Sequence, residues 1–129
     1  MEEIKALCGR ADIYLRTADI LISEQDFPSS VSRTYYAMFY MTQATLLTVN
    51  IAVSSHSGNS QKFSELFIKT GIFPKEYGRY LAYAMEKRSK GDYEVFTTID
   101  KEVALDLLNI GISFANALKS YLQSTGFLD

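Results

Sequence analysis

Apolar residues recur at helical spacing through most of the chain, and this repeat is the strongest constraint on how it folds. From Glu2 to about Ser23 they fall three or four positions apart, which places them on one face of an α-helix. The same spacing returns near the carboxyl end, and only two prolines are present among 129 residues to interrupt helices. The pattern therefore predicts long helices and no sheet. The two stripes consist of Ile4, Leu7, Ala11, Tyr14, Leu15, Ala18, Leu21 and Ile22, and of Val103, Leu107, Ile110, Phe114, Leu118 and Leu122.

Turn and capping residues divide the pattern into five helices. The segment from Asp26 to Ser30 supplies caps, with Pro28 in a first turn, and the second helix should run to about Asn50. We expect a shorter third helix after a polar loop, covering Gln61 to Ile68. The remaining predicted boundaries are Gly71 ending the third helix, Pro74 opening the fourth, Gly91 breaking it, a connector from Gly91 to Thr98, Asp100 capping the fifth and Gly126 near its end.

The second predicted helix is apolar almost all round. A helix with two apolar sides needs two buried faces. Packing in its own bundle on one side and against a second subunit on the other would meet that need, so we predict a homodimer. One side carries Val31, Tyr35, Met38, Phe39, Leu46 and Leu47, and the other carries Tyr36, Tyr40 and Ala44.

The expected fold is an all-α, up-and-down bundle of four to five helices forming one domain over residues 1–129. Cys8 is the only cysteine, so no disulfide can form within the chain, and a cytoplasmic protein is the natural inference. No uncharged apolar stretch approaches the ~20 residues that span a bilayer, so we expect no membrane insertion.

The net charge of -2 argues against a surface that coats nucleic acid nonspecifically. Any contact with RNA must be local, and one local excess of positive charge exists between Lys69 and Lys90. A solvated helix surface explains such a run equally well. The segment contains six cations (Lys69, Lys75, Arg79, Lys87, Arg88, Lys90) and two anions (Glu76, Glu86).

Signatures of known enzyme classes are absent. There is no glycine-rich phosphate loop, paired-cysteine zinc spacing, His-Glu-x-x-His motif or serine nucleophile elbow. A single histidine severely limits metal binding and proton transfer. We therefore predict no metal and no cofactor.

Three polar clusters lie on or beside predicted helices. On the second helix Arg33 and Tyr36 lie three residues apart and share a face, which suits an arginine aimed at a phosphate or carboxylate. His56 stands in the run Ser55-His56-Ser57-Gly58. The third cluster has Arg88 and Asp92 four residues apart, with Lys90 and Tyr93 beside them.

Each cluster also has a structural interpretation. Arg33 would pair with a carboxylate or a helix-end carbonyl, and His56 would be a surface or capping residue. The pair formed by Arg88 and Asp92 would lock a helix end rather than prepare a guanidinium for phosphate.

The three clusters together resemble the HEPN domain superfamily, in particular the small stand-alone proteins often encoded beside a minimal nucleotidyltransferase. The resemblance is carried by Ser32-Arg33-Thr34-Tyr35-Tyr36-Ala37-Met38-Phe39-Tyr40, Ser55-His56-Ser57-Gly58, Phe63 and Arg88-Ser89-Lys90-Gly91-Asp92-Tyr93. It implies a dimerising helical bundle with Arg88 facing a cleft near the dimer interface.

Many HEPN proteins are metal-independent ribonucleases in which an arginine is followed, after a short spacer, by a histidine. In this chain the corresponding positions read Tyr93, Glu94 and Val95, so the histidine is absent. A phenol that titrates near ~10 is a poor general base at neutral pH. His56 can substitute only if folding brings it to Arg88.

The resemblance therefore favours a domain that binds nucleotide or RNA, or a nucleotidyltransferase partner, within a toxin–antitoxin type module. Ligand-binding candidates are Arg33, Tyr36, His56, Arg88, Lys90, Asp92 and Tyr93. Tyr93 is also a candidate for modification by the partner. The alternatives are a ribonuclease that uses Arg88 with His56 or Tyr93, and a purely structural oligomerisation bundle.

Overall fold

Across residues 2–93 and 99–129, which the structure describes, the computed structural model forms five α-helices and no strand. The prediction of an all-α bundle is confirmed. None of these helices combines the length and hydropathy that crossing a bilayer requires. The helices are α1 (Glu2–Ser23), α2 (Phe27–Leu47), α3 (His56–Phe63), α4 (Glu76–Tyr93) and α5 (Lys101–Ser124), and a π-helical turn, Ser64–Ile68, continues α3.

Helix α2 lies at the centre of the bundle and contacts all four other helices. Twelve of its 21 residues are buried within one chain, including Ala44 of the second apolar side, while Tyr36 and Tyr40 of that side are half-buried. Even a polar group in this helix is satisfied internally, since the Ser30 hydroxyl donates to the Ala18 carbonyl of α1 at 2.8 Å. The two-sided pattern therefore does not by itself require a second subunit, and the homodimer stays a prediction.

The predicted cap of α5 forms as expected, and within the segment expected to cap α2 the capping residue is Asp26. The Asp26 carboxylate accepts a hydrogen bond from the Ser29 N–H at 3.3 Å, and the Asp100 carboxylate accepts one from the Val103 N–H at 3.0 Å. The predicted end of α2 was three residues too late. The chain turns instead after Leu47, because Asn50 adopts a left-handed conformation with φ of 61°.

The third helix begins earlier than predicted, and His56 lies in its first turn. The cause is Ser55, whose hydroxyl accepts a hydrogen bond from the Gly58 N–H at 3.1 Å and so caps the helix. The polar run that was expected to be a loop thus fixes His56 on a helix.

The fourth helix also differs from prediction at both ends. It begins at Glu76 rather than Pro74, and it continues through Gly91 to Tyr93. Gly91 serves close packing, because a Cβ atom there would lie 3.2 Å from the Pro28 Cβ at the start of α2. The first three residues of the predicted connector are therefore helical, and residues 94–98 lie outside the described part of the chain.

A second glycine, Gly111, allows α5 to approach α2 closely. A Cβ atom at this position would lie 2.5 Å from Thr34 Cγ2, and Thr34 is a stiff, fully buried β-branched residue. We expect Gly111→Ala to lower the free energy of unfolding by about 1–2 kcal/mol, since overpacking outweighs the helix propensity of alanine. Urea denaturation followed by circular dichroism measures this change.

The matched control is Gly9 of α1, where an added Cβ would meet nothing within 4 Å. Gly9→Ala should stabilise the protein by about 0.5–1 kcal/mol. Adding Thr34→Ser to Gly111→Ala should recover part of the lost stability. Stabilisation by Gly111→Ala alone would contradict the packing argument.

Candidate functional site

Aromatic residues of α2 hold the side chains of Arg88 and His56 next to one another. The Arg88 guanidinium carbon lies 5.2 Å from the Tyr36 ring centroid and 5.6 Å from that of Tyr35. The centroid of the His56 ring lies 5.5 Å from that of Tyr35, 5.7 Å from that of Tyr36 and 4.5 Å from that of Phe39. Helices α3 and α4 thus each bring one polar side chain to the same patch of α2.

Arg88 is fixed by hydrogen bonds on two sides. Its Nε donates to the Asp92 carboxylate at 2.9 Å, and its Nη2 donates to the Tyr36 hydroxyl at 3.1 Å. Only 13% of its side chain is exposed. A planar guanidinium held in this way still has N–H groups that can donate to an anion. Because its orientation is already fixed, the side chain loses little further conformational entropy when the anion binds.

His56 is oriented by Tyr35. The Tyr35 oxygen lies 2.6 Å from His56 Nδ1, and Tyr35 is only 2% exposed. Burial raises the pKa of Tyr35 to about 12, although the charge of Arg88 opposes the shift, so the phenol keeps its proton.

The protonation state of His56 follows from these neighbours. Burial, and then the positive charge of Arg88, lower the pKa of His56 below its ordinary value of 6.5, so the imidazole is neutral at pH 7. Within the described residues Nδ1 of His56 is the partner of the Tyr35 hydroxyl, and this hydroxyl has a proton to donate. We assign the imidazole proton to Nε2, which makes His56 a hydrogen-bond donor towards a ligand.

A groove of about 680 Å³ opens beside His56, between α3 and α4. Lys75 and Arg79 contribute positive charge to it, and the π-helical turn contributes Ser64 and Ile68. Met85 lines the groove and its sulfur lies 3.8 Å from Arg88 Nη1, so the guanidinium lies behind a residue of the groove wall. Single π-helical turns are common at functional sites because they shift side chains out of helical register.

The structure brings together Arg88, Asp92, Tyr36 and His56 from the set of candidates. Arg33 lies elsewhere, on the exposed surface between α1 and α2, with its guanidinium carbon 4.8 Å above the ring of Tyr14. The other two candidates are on the surface of α4. Lys90 pairs with Glu86 at 3.4 Å, and Tyr93 is 77% exposed at the end of the helix.

Sequence reasoning missed Tyr35 as part of this site. It was grouped with the apolar residues of one side of α2, and it is indeed buried there. The available signal was its hydroxyl group, because a buried tyrosine needs a hydrogen-bond partner. The partner is the only histidine of the chain.

Comparison with known proteins agrees with this architecture. A family profile described as HEPN domain matches residues 4–121. The chain belongs to the HEPN domain family. The histidine that usually follows the arginine in HEPN ribonucleases is absent from this sequence, which has Tyr93, Glu94 and Val95 at the corresponding positions.

Three relatives of this HEPN protein are similar over most of its length. It is 36% identical over 126 residues to "Putative toxin MJ0142" of Methanocaldococcus jannaschii, an alignment that covers 98% of this chain and 86% of the relative. It is 34% identical over 122 residues to "Putative toxin MJ0605" of the same organism, covering 95% and 90%. It is 43% identical over 91 residues to "UPF0332 protein glr0978" of Gloeobacter violaceus, covering 70% and 72%.

The neighbourhood of Arg88 and His56 can be tested through the pKa of His56. Replacing Arg88 with Gln should raise this pKa towards 6.5, because a nearby positive charge no longer opposes protonation. His56 stays partly buried in this variant, so its pKa should return only part of the way to 6.5. An NMR titration of the imidazole measures the pKa without overlap, since the chain has one histidine.

Two control variants separate charge from position. Arg88→Lys keeps the charge and should keep the pKa low, and Arg16→Gln removes a charge from the exposed face of α1 and should leave it unchanged. In the wild type, the contribution of His56 to the free energy of unfolding is fully present above pH 6.5. It is lost as the pH falls through the lower pKa of His56 in the folded chain, because the unfolded chain takes up the proton more readily. An unchanged pKa in Arg88→Gln would show that the two groups are not neighbours in solution.

Proposed function

We propose that this HEPN protein is a component of a toxin–antitoxin type module and that it binds RNA through a backbone phosphate at Arg88 and His56. The observation that carries the proposal is the pairing of a fixed guanidinium with a neutral imidazole, whose residue lines a groove that also contains Lys75 and Arg79. The names of the two Methanocaldococcus jannaschii relatives support the module.

Several donors converge on this place. Arg88 offers the N–H groups that Asp92, Tyr36 and the sulfur of Met85 leave free, and His56 offers Nε2–H. The Tyr36 hydroxyl accepts from Arg88 and keeps its own proton, for which the described residues provide no acceptor. Phosphate oxygens are acceptors only, so they match this set of groups.

The geometry favours binding over a ribonuclease that uses His56 as a general base. A base needs an unprotonated nitrogen facing the substrate. With the tautomer assigned above, Nδ1 accepts from Tyr35 and Nε2 is protonated, so neither nitrogen is free to act as a base. The purely structural interpretation is also less favoured, because Arg33 is exposed and a groove opens beside His56.

RNA binding should depend strongly on Arg88. We expect Arg88→Gln to weaken binding of a single-stranded RNA about tenfold or more, since a hydrogen bond to a charged group contributes about 1.5–3 kcal/mol. His56→Gln should weaken it by a smaller factor. Fluorescence anisotropy at fixed salt, with a chelator present, measures the affinity.

Arg16→Gln is the charge-matched control and should bind like the wild type. A gel of the same samples tests for cleavage. Intact RNA with Arg88-dependent binding agrees with the proposal. RNA cleavage by the wild type that is abolished in both Arg88→Gln and His56→Gln would show that the protein is a ribonuclease. Failure of the wild type to bind RNA would refute the proposed function.

We also propose a nucleotidyltransferase partner that acts on Tyr93. This residue ends α4 next to Asp92 and is 77% exposed, so an enzyme can reach its hydroxyl. In such a transfer the phenolic oxygen attacks the α-phosphorus of a nucleoside triphosphate, pyrophosphate leaves, and the phenol loses its proton. The chain purified from its native host should then carry a nucleotidyl mass increment.

Tyr93→Phe should abolish that increment in intact-mass spectrometry. Tyr83→Phe is the control, because Tyr83 lies on the same helix but is half-buried. An unmodified wild-type chain, or modification that survives Tyr93→Phe, would contradict this proposal.

A further inference from the structure

A second cluster of cations lies between α1 and α2, away from the groove described above. The Arg33 guanidinium carbon lies 4.8 Å from the ring centroid of Tyr14, and that of Arg10 lies 5.5 Å from the ring centroid of Tyr40. A cavity of about 290 Å³ opens here. It is lined by Tyr14, Ser32, Arg33, Tyr36 and Tyr40.

These two arginines keep their positive charge unneutralised. Within residues 2–93 and 99–129, neither has a carboxylate within 4.0 Å, whereas Arg79 and Arg88 are each paired with one. Arginines over tyrosine rings are held in place without losing their charge. The cavity therefore presents one oriented cation, Arg33, while Arg10 lies nearby over the ring of the lining residue Tyr40, and no described carboxylate pairs with either arginine.

The hydroxyl groups of the cavity add donors. Tyr40 is hydrogen-bonded to Tyr14, and burial together with this bond raises the pKa of Tyr40, so its phenol stays neutral. Ser32 adds an aliphatic hydroxyl group. Guanidinium groups with neutral hydroxyls suit the oxygens of a phosphate.

Tyr36 connects the cavity to the Arg88 site. Its hydroxyl accepts a hydrogen bond from Arg88 at 3.1 Å, while the same residue lines the cavity that contains Arg33. Arg33 and Tyr36 lie about one turn apart on α2. The two cation clusters thus lie on either side of a single tyrosine.

We propose that the cavity of Arg33 is a second phosphate subsite, which takes a further phosphate of the same RNA strand whose first phosphate lies at Arg88. This inference rests on the proposed function and extends it from one phosphate to a stretch of backbone. Arginine and hydroxyl contacts to phosphate carry no base information, so the subsite adds affinity without sequence preference. A nucleoside monophosphate has one phosphate, so it can fill only one of the two positions at a time.

The competing interpretation is structural. Both cation–π contacts join α1 to α2, so they would stabilise helix packing even if no anion binds. The test must therefore separate affinity from stability.

The first measurement compares RNA oligonucleotides with a mononucleotide. We expect Arg33→Gln to weaken oligonucleotide binding about three- to tenfold and to reduce the slope of log affinity against log salt by about 0.7, the value for one phosphate contact on a single strand. Mononucleotide binding should not change. Arg10→Gln should act in the same direction, and Arg16→Gln, on the exposed face of α1, should have no effect.

Thermal melting of each variant provides the structural readout. Lower stability with unchanged oligonucleotide affinity and salt slope would overturn the subsite and leave Arg33 as a packing residue. The proposed function would stand in that case, because Arg88→Gln would still weaken both oligonucleotide and mononucleotide.

The second measurement does not depend on RNA. Inorganic phosphate is titrated into the wild type and into Arg88→Gln while the Nε–H signal of Arg33 is followed by NMR. A saturable shift that persists in Arg88→Gln supports an anion site at Arg33, even if the wild type fails to bind RNA and the proposed function fails. The absence of a saturable shift, together with unchanged oligonucleotide binding in Arg33→Gln, would overturn the subsite.

Discussion

The burial of α2 among the other four helices is the constraint on which the rest of the structure depends. A helix surrounded in this way exposes little of itself, so its polar side chains bond to its own carbonyls, as those of Thr42 and Thr45 do, or to neighbouring helices, whereas the buried Thr34 hydroxyl has no partner within the described residues. Tyr35 and Tyr36 bond to neighbouring helices, reaching His56 of α3 and Arg88 of α4. The site therefore results from the hydrogen bonds that the tyrosines of α2 make to neighbouring helices, and the packing of those helices fixes its geometry.

The electrostatics of the site follow from the same packing. An arginine with 13% of its side chain exposed has lost much of its hydration, and Asp92 and Tyr36 replace part of it. The carboxylate also opposes an incoming phosphate, so Asp92 lowers the attraction while it fixes the orientation of the guanidinium. A neutral His56 reduces repulsion between cations beside Arg88, and Nε2–H still donates. The site thus has a lower net positive charge than two free cations would give, but its hydrogen-bond donors have fixed orientations.

The fold could be predicted from sequence to a greater extent than the site. Apolar stripes determine helices directly, and the carboxylate of Asp100 caps α5 as its position indicates. Local signals failed where a distant contact decides the structure. Gly91 lies inside a helix, where its lack of a side chain leaves room for Pro28. Tyr35 belongs to the site because its hydroxyl contacts His56, which is 21 positions away in the sequence. Arg33 shares the aromatic segment with Tyr36, yet the direction of its side chain depends on Tyr14 of another helix.

The acidic net charge of the chain is compatible with RNA binding if affinity comes from a few oriented groups. Nonspecific attraction grows with the number of phosphates neutralised, and a net charge of -2 keeps that number low. Several cations outside the two sites are paired with carboxylates, as Lys62 is with Glu65 and Lys90 with Glu86, which weakens their pull on a polyanion. Binding is then confined to places where aromatic rings hold a guanidinium in position. Such a surface discriminates by the spacing of phosphates along a strand, because contacts at fixed positions cannot follow a backbone of different geometry.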